Sequence, residues 1–296
     1  MRYNAGEVIT AMITPFNEDL SVDYKSFEKL IEHLIKTGSD ALLIAGTTGE
    51  TPTLTHEEEA EIFKFVKKIA AGRVKLIMGA GSNCTETAVK SSRNAEKAGA
   101  DAILTVVPYY NKPSQKGMYE HFSAIARSVS LPVILYNIPG RTGVNMKPET
   151  IAKLAAEFKN IAAVKQSNAD LDLISEIKML APEDFAVYSG DDSLTVPMMS
   201  LGASGVISVA SHIAGREIKE MVQLFKAGKN QEALQLHFKL YPLFKKLFMA
   251  PNPVPVKAAL ASMGIIKEYV RKPLTVLDKE EKEILFEVTN KFKFPV

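Results

Sequence analysis

Apolar residues along the chain gather in short, nearly unbroken runs: VITAMIT (8–14), DALLIAG (40–46), KLIMGAG (75–81), AILTVV (102–107), PVILYN (132–137), IAAVKQS (161–167), FAVYSG (185–190) and GVISVA (205–210). Each gives way to Gly, Asn, Ser or a polar cluster, as strands buried on both faces do. Between them the pattern changes to a helical period, as in DYKSFEKLIEHLIKTG (23–38) after the first run and HEEEAEIFKFVKKIAAG (56–72) after the second. Strands that alternate with helices predict parallel pairing through helical crossovers. About eight such units match a closed (β/α)8 barrel, whereas an open doubly wound sheet has fewer strands and a Gly-rich first turn. The expected fold class is therefore α/β, a (β/α)8 TIM barrel.

After Ala210 the alternation stops. SHIAGREIKEMVQLFKAG (211–228) closes the eighth unit, and helical pattern then runs to the end, which predicts a barrel over residues 1–227 and a C-terminal α-helical domain over 228–296. The stretch APNPVPVKAAL (250–260) reads as a proline-punctuated hinge between two helices of that appendage. With 296 residues, 46% of them hydrophobic and 24% charged, the chain can bury a large core. Its 36 basic and 34 acidic side chains are mixed, giving a formal charge of +2 and no basic stripe for nucleic-acid phosphates. A small partner fits better than a nucleic acid. The single cysteine, Cys84, excludes an internal disulfide framework. MRYNAGEVIT lacks a signal-peptide pattern, and no run reaches the length of about 18 apolar residues that spans a bilayer, so a cytoplasmic protein without membrane segments is expected.

In a TIM barrel the chemistry sits at the C-terminal strand ends. There the sequence places Thr47, Thr48 and Glu50, then Tyr109 and Tyr110, then Tyr136, Asn137 and Arg141, then Lys165, and then Asp191 and Asp192. Strand alternation puts Lys165 on one face with Ala163 and Ser167. A lysine in an apolar pocket surrenders its proton more readily, and the free amine is the nucleophile with which a ketone forms a Schiff base. The competing reading is a lysine that snorkels to a surface carboxylate. Tyr136 ends the neighbouring strand, within plausible reach of Lys165, and a phenol there can shuttle protons if Thr47 and Tyr110 relay them. Its competing role is that of a core aromatic. Arg141 follows in a Pro-Gly-Arg-Thr-Gly turn, where a guanidinium can clamp a carboxylate at two points or simply be solvated.

These motifs, GTTGE (46–50), PYYNKP (108–113), YNIPGRTGVN (136–145), the lysine of VKQS, SGDD (189–192), GVISVASHI (205–213) and NPVPVKAAL (252–260), together resemble the dihydrodipicolinate synthase (4-hydroxy-tetrahydrodipicolinate synthase) family of pyruvate-dependent class I aldolases. The match runs over nearly the whole chain in order. The resemblance implies condensation of pyruvate with L-aspartate 4-semialdehyde, with Lys165 forming the imine and Tyr136, Thr47 and Tyr110 relaying protons. Thr48 and the backbone at Ile207 would help hold pyruvate, and Arg141 the carboxylate of the semialdehyde. It also implies no cofactor and a homotetramer, a dimer of dimers in which Tyr110 serves the neighbour's site. His56, Asn83 and Tyr109 match an effector pattern for lysine. Glu59 and Thr87 stand where a histidine and a glutamate are usual, so that pattern is incomplete. The alternatives are a pyruvate aldolase for a sugar-derived aldehyde, a non-catalytic keto-acid binder, and a phosphate-binding barrel isomerase, for which no Gly-rich cradle is evident.

Other signals carry less. His56 and Glu59 have metal-like spacing, but Thr55 and Glu58 read as a capping box that places both on a solvated first helical turn, and no metal is expected. GAGSN (79–83) lacks the third glycine of a dinucleotide loop. Asp191 and Asp192 read as loop caps, and the charge runs KEYVRK (267–272) and KFKF (291–294) as solvated surface.

Overall fold

The computed structural model describes residues 2–292, so half of the KFKF run lies outside the described residues. Eight strands form: β1 (Val8–Ala11), β2 (Ala41–Ile44), β3 (Lys75–Gly79), β4 (Ala102–Val106), β5 (Val133–Asn137), β6 (Ile161–Gln166), β7 (Ala186–Ser189) and β8 (Gly205–Ser208). They follow one another in chain order around a closed barrel, and the β4–β5, β5–β6 and β6–β7 pairs are parallel. Each strand is shorter than its apolar run. Met12 and Ile13 remain buried after β1 has ended, and β2 is followed at once by Ala45 in the left-handed region at φ 53. An apolar run therefore marks burial, while the strand ends earlier, where the backbone turns outward.

The chain divides into two compact units, Met1–Glu7 with Leu76–Ile207, and Val8–Lys75 with Ser208–Val296. In the first, helix Thr85–Ala98 ends at Gly99, whose φ of 78 suits the left-handed cap. Close backbone approach fixes two further glycines. A Cβ on Gly81 would lie 2.4 Å from the Val106 nitrogen, and one on Gly205 would lie 2.0 Å from the Glu7 oxygen. The glycine of GAGSN thus serves packing.

In the second unit, helix Tyr24–Lys36 is capped by Asp23, which accepts from the Ser26 N–H, and buries Phe27, Leu30, Ile31 and Leu34 at helical spacing. Helix His56–Ala70 starts with the expected Thr55–Glu58 capping box. Helices Ser211–Lys226 and Asn230–Lys246 follow β8, the latter with Pro242 inside it. The stretch read as a hinge is largely a helix, Val254–Ser262, because its prolines occupy the cap and first turn, where no N–H is required. Among the described residues, no helix is long and apolar enough to cross a membrane.

Candidate active site

Within the 76–207 unit, β5, β6 and β7 set Tyr136, Lys165 and Tyr188 side by side in one register, so their side chains share a face. Lys165 is 6% exposed, and its Nζ lies 4.4 Å from the centre of the Tyr136 ring. The aromatic face favours a cation there by about 1–2 kcal/mol. Among the described residues Lys165 has no hydrogen bond and no carboxylate partner. The snorkelling alternative therefore fails: this lysine is buried and its nitrogen is uncommitted.

Space for its stem comes from Gly190. A Cβ at that position would stand 2.8 Å from Lys165 Cε, 3.0 Å from Cγ and 1.9 Å from Ser167 Oγ. Ser167 thus lies on the face of Lys165, as alternation requires. Its hydroxyl is buried without a hydrogen-bond partner among the described residues. Tyr188 is tied off, its hydroxyl donating to the Gly6 carbonyl at 3.0 Å.

Asn137, fully buried at the end of β5, organises the loop that carries Arg141. Its amide donates to Asn145 Oδ1 (2.7 Å), to the Met146 carbonyl (3.2 Å) and to Gln166 Oε1 (3.1 Å), and its Oδ1 accepts from the Met146 N–H at 3.0 Å. Gln115 adds a second tie, donating to the Asn145 carbonyl and accepting from the Lys147 N–H and the Thr150 hydroxyl. Arg141 itself is exposed within the short helix Pro139–Thr142, and its guanidinium makes no hydrogen bond or ion pair among the described residues. The loop is fixed while its cation is free.

Tyr110 is 89% exposed in a left-handed conformation, φ 70, and no hydrogen bond joins it to Tyr136 in this chain. Asn111 gathers the neighbourhood of Tyr109 and Asn83, donating from its backbone N–H to the Tyr109 carbonyl (2.8 Å) and from its side chain to the Asn83 carbonyl (2.9 Å). Ile207 is buried in β8. Asp191 caps a 3-10 turn by accepting from Ser193, in keeping with its reading as a loop residue.

In the other unit, Thr47 and Thr48 lie on a single 3-10 turn, Thr47–Gly49, that follows β2. Thr48 is buried and its Oγ1 accepts from Asn252 Nδ2 at 2.9 Å. Glu50 closes the turn at φ 58 and pairs with Lys257, a lysine with no exposed surface. Lys257 also donates to the Tyr269 carbonyl at 2.8 Å and lies 4.2 Å over the Phe16 ring. Burial pushes its ammonium down to about 8, against the pull of the Glu50 carboxylate.

Two expectations require correction. KEYVRK is solvated only at its ends: Lys267 and Lys272 are exposed, whereas Val270 is buried and Arg271 is half-buried. Arg271 forks onto Glu58 at 2.8 and 2.5 Å and donates to the carbonyls of Thr53 and Leu20, while its backbone N–H donates to Glu50 at 2.9 Å. Arg271 looks solvated in sequence because its partners are more than 200 residues away. Nor is Glu59 solvated: its carboxylate pairs with His56 Nδ1 at 3.0 Å with only 12% of the side chain exposed, and burial raises its pKa. Among the described residues, no group of three or more His, Cys, Asp or Glu side chains is placed to hold a metal ion.

Sequence reasoning assigned no role to Asn137, Gly190 or Asn252 and did not pair Glu50 with Lys257. Lys257 sits in the apolar window VPVKAAL, the same signal that singled out Lys165, but the hinge reading obscured it.

The model of the dihydrodipicolinate synthetase family matches residues 4–291. The chain belongs to that family. A family relative from Bacillus subtilis, a 4-hydroxy-tetrahydrodipicolinate synthase, is 50% identical over 279 residues, which cover 94% of this chain and 96% of the relative. The crystal structure of dihydrodipicolinate synthase from Aquifex aeolicus superimposes with a TM-score of 0.95 at 48% identity, covering 98% of this chain and 99% of that one. The family enzyme from Cyanidioschyzon merolae, solved with lysine bound, gives 0.94 at 46% identity over 97% of both chains.

Proposed function

We infer that the chain is a Schiff-base carbon–carbon lyase that condenses pyruvate with L-aspartate 4-semialdehyde to 4-hydroxy-tetrahydrodipicolinate, a step of lysine and diaminopimelate synthesis. One observation carries the reading within this family: Lys165 is buried against Tyr136 with its nitrogen uncommitted. Its free amine adds to the ketone carbon of pyruvate, and loss of water gives the imine. Removal of a proton from the methyl carbon yields an enamine, which attacks the aldehyde carbon of the second substrate. The amino group of that substrate then adds to the imine carbon and displaces Lys165 as the ring closes. Tyr136, directly beside Lys165, is the group for the proton transfers of imine formation.

The remaining assignments are carried by the family pattern. Thr47 and Tyr110 complete the proton relay, Thr48 and the Ile207 backbone hold pyruvate, and Arg141 clamps the carboxylate of the semialdehyde. The free guanidinium of Arg141 and its fixed loop support the last of these. The exposure of Tyr110 supports its donation to a neighbouring copy in a homotetramer built as a dimer of dimers. No cofactor takes part, and the compartment is the cytoplasm. His56, Asn83 and Tyr109 match an effector pattern for lysine that lacks its usual histidine and glutamate at positions 59 and 87, so weak inhibition is expected; a lysine titration of activity tests this.

The deciding assay is pyruvate consumption by purified protein with aspartate semialdehyde, beside glyceraldehyde and N-acetylmannosamine. Consumption with the semialdehyde alone is expected. Consumption with a sugar-type aldehyde instead would keep the imine chemistry and overturn the role of Arg141.

A further inference from the structure

The turn that presents Thr47 and Thr48 is not held by barrel strands alone. Thr14 Oγ1 donates to the Gly49 carbonyl at 2.7 Å and Thr51 Oγ1 to the Gly46 carbonyl at 3.0 Å. Its last residue, Glu50, adopts a left-handed backbone that costs a non-glycine residue roughly 1–2 kcal/mol. The carboxylate of Glu50 explains how that conformation is kept: one oxygen takes the Lys257 ammonium and the other the Arg271 N–H. Arg271 continues along the same segment to Thr53 and Glu58, and Asn252 reaches the hydroxyl of Thr48 itself. Residues 252–271 thus grip the 46–58 segment at four successive points. Because Thr48 Oγ1 accepts from Asn252, its own hydroxyl hydrogen is turned away from Asn252 and is free to donate to an anionic ligand.

We propose that Asn252 is a positioning residue for the reaction, orienting the Thr48 hydroxyl as a donor toward the pyruvate carboxylate, with the Glu50–Lys257 pair fixing the turn that bears it. This deepens the function inferred above and rests on it.

The test uses Asn252→Ala and Asn252→Asp, which remove the donor with and without loss of shape, together with Thr48→Val and the double variant Thr48→Val/Asn252→Ala. Both Asn252 variants should lower kcat/KM for pyruvate about 10- to 100-fold, chiefly through KM, with the melting temperature nearly unchanged. Borohydride should still trap pyruvate on Lys165 at saturating pyruvate. If Asn252 acts through Thr48, the double variant is no worse than Thr48→Val. Values of kcat/KM within twofold of wild type, additive losses, or a loss matched by loss of folded protein in both Asn252 variants would each overturn the proposal. Failure of the wild-type protein to form the imine at all would instead overturn the function on which it rests.

Discussion

Two lysines lie buried against aromatic rings in different units of this molecule, and their surroundings are opposite. Lys165 stands over Tyr136 at 4.4 Å with no carboxylate and no hydrogen bond among the described residues. Lys257 stands over Phe16 at 4.2 Å, with the Glu50 carboxylate and the Tyr269 carbonyl satisfying its ammonium. Burial is common to both, so burial does not make a lysine reactive. What distinguishes them is partnership: the Lys257 ammonium is held by a carboxylate and a carbonyl, whereas the Lys165 nitrogen is uncommitted among the described residues.

The comparison is broken most sharply by deletion. Lys165→Ala should lower turnover by at least about 10³-fold and abolish borohydride trapping of pyruvate, while the protein stays folded. An active Lys165→Ala would mean that the nucleophile lies elsewhere. Lys257→Met should act first on stability, leaving Glu50 a buried carboxylate without its counter-ion at a cost of about 3–5 kcal/mol, with the imine on Lys165 still formed at saturating pyruvate. Urea denaturation measures this, and adding Glu50→Gln should recover much of the loss. Gly190→Ala sharpens the contrast, because its new methyl group must push Lys165 and Ser167 aside. A loss of roughly 1–3 kcal/mol of stability, with imine formation slowed, is expected from such overpacking; unchanged kinetics of pyruvate trapping would show that the lysine stem has other room.

The smallest effect comes from pH. His212 is fully buried, donating from Nδ1 to the Val209 carbonyl while Nε2 accepts from the Ile13 N–H at 3.2 Å, and burial pushes its pKa down to about 4. Below the unfolded value of about 6.5 the unfolded chain binds the proton more readily. Stability should therefore fall as pH drops from 6.5 toward 4, by about 2 kcal/mol from this group between pH 7 and 5. His212→Gln should flatten that slope in urea titrations at the two pH values.

The barrel was legible in the sequence because eight apolar runs and their intervening helical periods are local patterns. Lys165 was legible because a charge inside an apolar run violates such a pattern. The Glu50–Lys257–Arg271 network was not, since its partners are separated by 207 and 221 residues and each looks ordinary in its own window. The role of Gly190 went unread for a related reason: the need for an absent side chain appears only when the lysine on the neighbouring strand is seen to fill the space.

The Arg141 loop, tied by Asn137 and Gln115 while its guanidinium stays free, separates shape from recognition. Its backbone is already ordered before any ligand arrives, so binding pays little conformational entropy there. A side chain at position 141 can then be exchanged without refolding the loop, and if Arg141 clamps the second substrate as proposed, one residue in a durable socket sets the aldehyde.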